Sequence, residues 1–156
     1  TILFEDGNFN KILINDIDYS SYYYNAETNK FVSEISSISA VRNKMLKIQR
    51  FISKNKNIVC EGRDIGTVVF PNADFKFFLE ASIECRAKRR FNELDNNHVN
   101  VTFNEIKKLL IDRDYIDINR KISPLKKATT AVLINTTDLK IDEVVDIMYE
   151  KIKGSL

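Results

Sequence analysis

The stretch NIVCEGRDIGTVVFPNADFKFFLEASIECRAKRR, residues 57–90, decides how the chain is read. Two apolar runs, NIVC at 57–60 and FKFFLEA at 75–81, flank a charged turn, and a helical pattern follows from 82 to about 94. Each run is short and apolar enough for a buried strand. Glu61, Arg63 and Asp64 crowd one tight turn directly behind the first run. Charges cost free energy where a chain is being buried. They therefore form either a solvated turn with an internal Arg–Asp pair or a face for something that needs both a cation and a carboxylate.

Working outward, TAVLINTT at 130–137 reads as a third strand. Helical patterns cover about 103–119 and 140–153, and the polar DNNHVNVT at 95–102 reads as a loop. Strands alternating with helices predict a parallel α/β sheet. Upstream, β-like residues 2–5 and 11–17 flank EDGNFN, whose Asp-Gly signal predicts an antiparallel hairpin. SSYYYNAETNK at 20–30 fits an edge strand or a loop. From Glu27 to about Lys54 the pattern is helical, with Val32, Ile35, Ile38 and then Val41, Met45, Ile48, Ile52 at steps of three and four. Poor helix formers, SSIS at 36–39, predict a break into two helices.

With 156 residues and 44% hydrophobic content, the chain is long enough for one cored domain and too short for two independent ones. The 24 basic and 22 acidic side chains nearly balance, which argues against bulk nucleic-acid or membrane binding. There is no bilayer-length apolar run and no secretory pattern. Cys60 and Cys85 make neither a disulfide framework nor a zinc site. They read as reduced thiols of a cytoplasmic protein. His98 is the single histidine, so histidine-led catalysis is not expected.

Three charged constellations carry the chemistry. The first is the turn at 61–64, placed where parallel sheets bind ligands. Arg suits phosphate oxygens, and Asp suits an amino group or a sugar hydroxyl. A nucleotide offers both; the alternative is the solvated turn. The second is DRDYIDINRK at 112–121, where Arg113, Asp117 and Arg120 share one helical face. That face is either a salt-bridged surface or a clamp over phosphates. The third is ECRAKRR at 84–90, either a solvated basic face or an anion contact.

Taken in order, these stretches resemble the bacterial cytidylate kinases. GRDIGTVVFP at 62–71 is the most specific string. RDYIDINRKISP at 113–124 and VLINTTDLKIDEV at 132–144 continue the resemblance, which is weak before Asn25. It implies a three-layer, parallel-sheet nucleoside monophosphate kinase core related to the P-loop NTPases. It also implies a substrate-binding insert at 1–54, with remnants of an antiparallel hairpin, and a kinase core at 55–156 with a lid at about 95–125. The implied reaction is transfer of the ATP γ-phosphoryl group to CMP or dCMP.

By the same resemblance, Ser33, Arg42 and Asp64 read the cytosine ring and Arg63 holds the substrate phosphate. Asp117 and Arg120 take the sugar hydroxyls, and Arg113 reaches the transferring phosphoryl group. Arg63, Arg113 and Arg120 are thus the expected catalytic cations. Arg86 and Arg89, with Arg113, are expected at the ATP end. Ser33 and Arg42 are nine positions apart, about 180° on an ideal helix, so sharing one base requires the break at 36–39.

The family's phosphate loop, Gly-x-x-x-x-Gly-Lys-Ser/Thr, does not occur in this sequence. That loop supplies the donors for ATP phosphates and the hydroxyl for Mg²⁺. The expectation is a fragment of a longer enzyme lacking the first strand and loop, inactive alone, with no metal ligand of its own. The expected partners are CMP or dCMP and ATP, with no nucleic acid or membrane, and the expected state is a monomer. The alternatives are a non-catalytic nucleotide-binding fragment or an RNA-binding module built on the run at 86–90.

Overall fold

The computed structural model describes residues 13–14, 17–19, 34–36, 38–96 and 101–155. The chain divides into two compact units, Thr1–Lys44 and Met45–Leu156.

In the first unit, β1 (Leu13–Ile14) pairs antiparallel with β2 (Ile17–Asp18), setting Leu13 opposite Asp18 and Ile14 opposite Ile17. The stretch 11–17, expected as one strand, therefore holds β1 and the start of its antiparallel partner β2. The expected turn at 5–10, its partner at 2–5 and the tyrosine segment fall outside the described residues. Residues 34–36 are helical, Ile38 is not, and α1 (Ser39–Ile52) begins directly after it. The Ile38 amide reaches the Ile35 carbonyl at 3.1 Å, and the Arg42 amide reaches the Ile38 carbonyl at 3.0 Å. The interruption falls inside the serine-rich stretch, where short hydroxyl side chains compete for backbone bonds.

In the second unit, β3 (Phe77–Glu80) and β4 (Val132–Asn135) pair in parallel, from Phe77 opposite Val132 to Glu80 opposite Asn135. Parallel strands need a long crossover. Here it contains α2 (Ile83–Asn96) and α3 (Phe103–Asn119), and α4 (Ile141–Lys153) follows β4. The helix α2 runs two residues into the stretch expected to be loop; His98 lies outside the described residues. Ala87 and Ile106 are buried on α2 and α3, and Phe91 meets Phe103 edge to face at 6.5 Å. Such a ring pair adds about 1 kcal/mol beyond its buried area. Caps mark the helix starts. Ser82 Oγ accepts the Cys85 amide at 3.2 Å before α2. Thr102 and Glu105 exchange bonds reciprocally before α3. At α4 the Lys140 amide donates to Glu143 Oε2 at 2.7 Å.

One expected strand is absent. Asn57–Cys60 is irregular and exposed, with Val59 fully open to solvent. A strand is held by the ladder beside it. Among the described residues β3 and β4 form the one parallel ladder, and this run pairs with neither of its edges.

The GRD turn has its own architecture. Gly62 adopts φ +155°, and a Cβ there would lie 2.9 Å from Ile65 Cγ1. A side chain there is strained on both counts. Residues Ile65–Val69 then form a single π-helical turn. The amides of Val68 and Val69 converge on the Asp64 carbonyl at 2.8 and 3.2 Å, and the Phe70 amide reaches the Ile65 carbonyl at 2.7 Å. A turn that stops here leaves its last carbonyls without intrahelical donors. Arg50 supplies them: Nε donates to the Val69 carbonyl at 2.9 Å and Nη2 to the Val68 carbonyl at 2.8 Å.

Candidate anion-binding site

The helix α3 places Arg113, Asp114 and Asp117 within one and a half turns, and Arg120 ends it. After Arg120 the chain folds back. Ser123, just before Pro124, takes a left-handed φ of +51°. The Leu125 amide then donates to the Asp117 carbonyl at 2.7 Å. Arg120 Nε donates to the Ser123 carbonyl at 2.6 Å, which locks this guanidinium under the helix end.

Asp117 is the centre. Its side chain is 5% exposed, yet three arginines surround it. Arg120 Nη1 lies 3.1 Å from Oδ1. Arg63 Nε lies 3.0 Å and Arg113 Nε 3.9 Å from Oδ2. A carboxylate this buried is tolerated only with such compensation. Asp114 forms a second node. Its Oδ2 pairs with Arg86 Nη1 at 2.5 Å and its Oδ1 lies 4.0 Å from Arg63 Nη1. Arg86 is also tied by Nε to the Ala81 carbonyl at 3.1 Å, just past the end of β3.

Four guanidiniums thus face two carboxylates, a surplus of two positive charges. Arg63, Arg86 and Arg113 keep 37%, 34% and 49% of their side chains exposed. Planar forks with open edges and net positive charge suit a phosphate group.

The structure brings Arg63, Arg86, Arg113, Asp117 and Arg120 into this one cluster. Arg89 is elsewhere. It donates to the Thr136 hydroxyl at 3.1 Å and to the Thr136 and Leu139 carbonyls at 2.5 and 3.2 Å, pinning the chain as it leaves β4. Asp64 is buried at the head of the π-helical turn. Arg42 belongs to the first unit, where Nη1 donates to the Ser36 carbonyl at 3.3 Å. Ser33 lies outside the described residues. Two contributors escaped the sequence reading. Asp114 stands three residues before Asp117, a spacing that shares a helical face, so it was within reach of pattern analysis. Arg50 had no such signal, because its partners are backbone carbonyls. The described residues contain no cluster of three or more His, Cys, Asp or Glu able to hold a metal ion. No described helix is long and apolar enough to cross a membrane. Cys60 and Cys85 are free thiols, the latter facing the Thr137 carbonyl at 3.2 Å.

A parallel β–α–α–β–α unit whose helices carry a net-positive arginine cluster defines an α/β protein with a candidate anion site. A profile of the cytidylate kinase family matches residues 2–154. A curated cytidylate kinase of Fusobacterium nucleatum is 48% identical over 143 residues, 92% of this chain and 66% of its own length. One from Clostridium botulinum is 43% identical over 146 residues, covering 94% and 67%. Another from Thermosipho melanesiensis is 45% identical over 152 residues, covering 97% and 69%. The chain belongs to the cytidylate kinase family, and so to the nucleoside monophosphate kinases. It spans about two thirds of the length of these curated relatives.

Proposed function

We propose that this protein acts as a phosphotransferase, passing the γ-phosphoryl group of ATP to CMP or dCMP. One observation carries the reading beyond family membership: a nearly buried Asp117 held among Arg63, Arg113 and Arg120, with Arg63 offered from the GRD turn. A phosphate monoester carries a charge of about −1.5 to −2 near neutral pH, which the surplus of the cluster matches.

In this reading Arg63 grips the acceptor phosphate, and Arg113, the most exposed of the four, reaches the group in transit. Asp117 and Arg120 hold the sugar. Ser33, Arg42 and Asp64 read the base; uracil puts a carbonyl where cytosine has its amino group, leaving a buried acceptor unpaired. Arg86 serves the ATP end, whereas the carbonyl bonds of Arg89 favour a supporting role there. The work is positioning and charge neutralisation, with no covalent intermediate. A substrate-binding insert at 1–54, a core at 55–156 and a lid at about 95–125 complete the scheme, in a monomeric cytoplasmic enzyme.

Mg²⁺ accompanies ATP in this chemistry. The carboxylates of the cluster do not suit it, since Asp114 and Asp117 are already engaged by arginines. The deciding experiment assays the full-length gene product with CMP, dCMP, UMP and AMP. Preference for CMP or dCMP is expected, and preference for UMP or AMP defeats the proposal.

A further inference from the structure

We infer that Asp114 is a positioning residue, the carboxylate that sets Arg63, on the acceptor phosphate, and Arg86, at the ATP end, side by side; this rests on the proposed kinase reading. Arg63 comes from the GRD turn and Arg86 from α2, and neither segment constrains the other in sequence. Asp114 reaches both, one oxygen to each. It is 20% exposed, against 5% for Asp117, so it lies nearer solvent. Arg86 is held at Nε by the Ala81 carbonyl and at Nη1 by Asp114, which fixes the plane of its fork. Arg63 is held at Nε by Asp117 and is approached at Nη1 by Asp114. Each guanidinium therefore meets two anchors while a third of its side chain stays open. Asp114 itself touches no substrate in this scheme and acts through the two arginines.

Charge alone and positioning make opposite predictions. Removing the Asp114 charge raises the surplus of the cluster from two to three, so a purely electrostatic account expects tighter binding of a phosphate. A positioning role expects weaker binding, because the forks lose alignment.

The test uses the full-length gene product as wild type, Asp114→Asn, Asp114→Glu, Arg86→Lys and, as control, the exposed Asp112→Asn. CMP affinity is measured by calorimetry, and kcat and the KM for ATP by coupled assay. Asp114→Asn is expected to weaken CMP binding about tenfold, Asp114→Glu to recover most of it, and Asp112→Asn to leave it unchanged. Asp114→Asn with unchanged or tighter CMP binding overturns the inference. Where Asp114→Asn does not fold, Arg86→Lys decides through the donor side, since it keeps the charge and loses the fork; a wild-type KM for ATP in that variant overturns the inference as well. A wild-type protein that neither binds nor phosphorylates CMP brings down the functional reading itself. An active wild type matched by Asp114→Asn brings down this inference alone.

Discussion

Arg63 Nε lies 3.0 Å from Asp117 Oδ2, joining the GRD turn to the last turn of α3. The contact ties the residue proposed to grip the acceptor phosphate to the one proposed to hold its sugar. Asp117→Ala strands three arginines around an empty site. It is expected to cost about 3 kcal/mol of stability, measured by urea unfolding. Arg63→Ala removes a partly exposed partner instead. It is expected to leave the fold intact and to weaken CMP binding at least tenfold. A wild-type CMP affinity in Arg63→Ala counts against its assigned role.

Arg50→Ala deprives the Val68 and Val69 carbonyls of both donors. The expected loss is about 2 kcal/mol for charge-assisted bonds of this kind. Arg50→Lys recovers little, because one ammonium cannot reproduce a two-pronged fork. Hydrogen exchange at the Phe70 amide, which closes the π-helical turn, is the direct readout. Unchanged protection there speaks against the clamp.

Gly62→Ala places a side chain at φ +155° and against Ile65. The expected cost is about 1–3 kcal/mol, with CMP binding lost in step because Arg63 and Asp64 follow immediately. Thermal unfolding and calorimetry together check this. A variant as stable as wild type would show that the turn relaxes freely.

Acid sensitivity follows from two glutamates. The Thr102 amide and hydroxyl hold the Glu105 carboxyl below its ordinary range. The bond from Lys107 does the same for Glu84, aided by a backbone hydrogen bond. Both folded values lie below the unfolded ones. Their stabilising contribution is therefore complete above the ordinary glutamate value of about 4.3 and vanishes as the pH falls through the lowered folded values. Glu105→Gln is expected to flatten the acid limb of stability against pH between pH ~5 and ~3. An unaltered slope in that variant contradicts the assignment.

Much of this was readable beforehand. Helices α2, α3 and α4 announced themselves by their local sequence pattern, close to the bounds they take in the fold. The break at Ile38 was legible from its flanking serines. The i, i+4, i+7 spacing of Arg113, Asp117 and Arg120 located the centre of the cluster. What failed was non-local. Asn57–Cys60 is apolar enough for a strand, but strandhood depends on a neighbouring edge that composition does not report. The stretch 11–17 concealed an antiparallel pairing of Leu13–Ile14 with Ile17–Asp18. Arg50 owes its role to backbone carbonyls distant in sequence, and the partners of Asp114, Arg63 and Arg86, are distant too, although its place on the α3 face was readable. Arg89 looked like Arg86 as a member of a basic run, and only the carbonyls around Thr136 separate them.

The register of β3 on β4 sets Phe77 beside Val132, 55 positions further along the chain. That ladder cannot form until the whole intervening segment has been looped out, an entropic toll that the α2–α3 hairpin reduces by compacting the segment first. Folding is then expected to be ordered in time, with the helical hairpin early and the strand pair late. Arg86 can meet Asp114 within the first stage, since the two lie on α2 and α3, whereas Arg63 reaches that carboxylate from outside the helical pair.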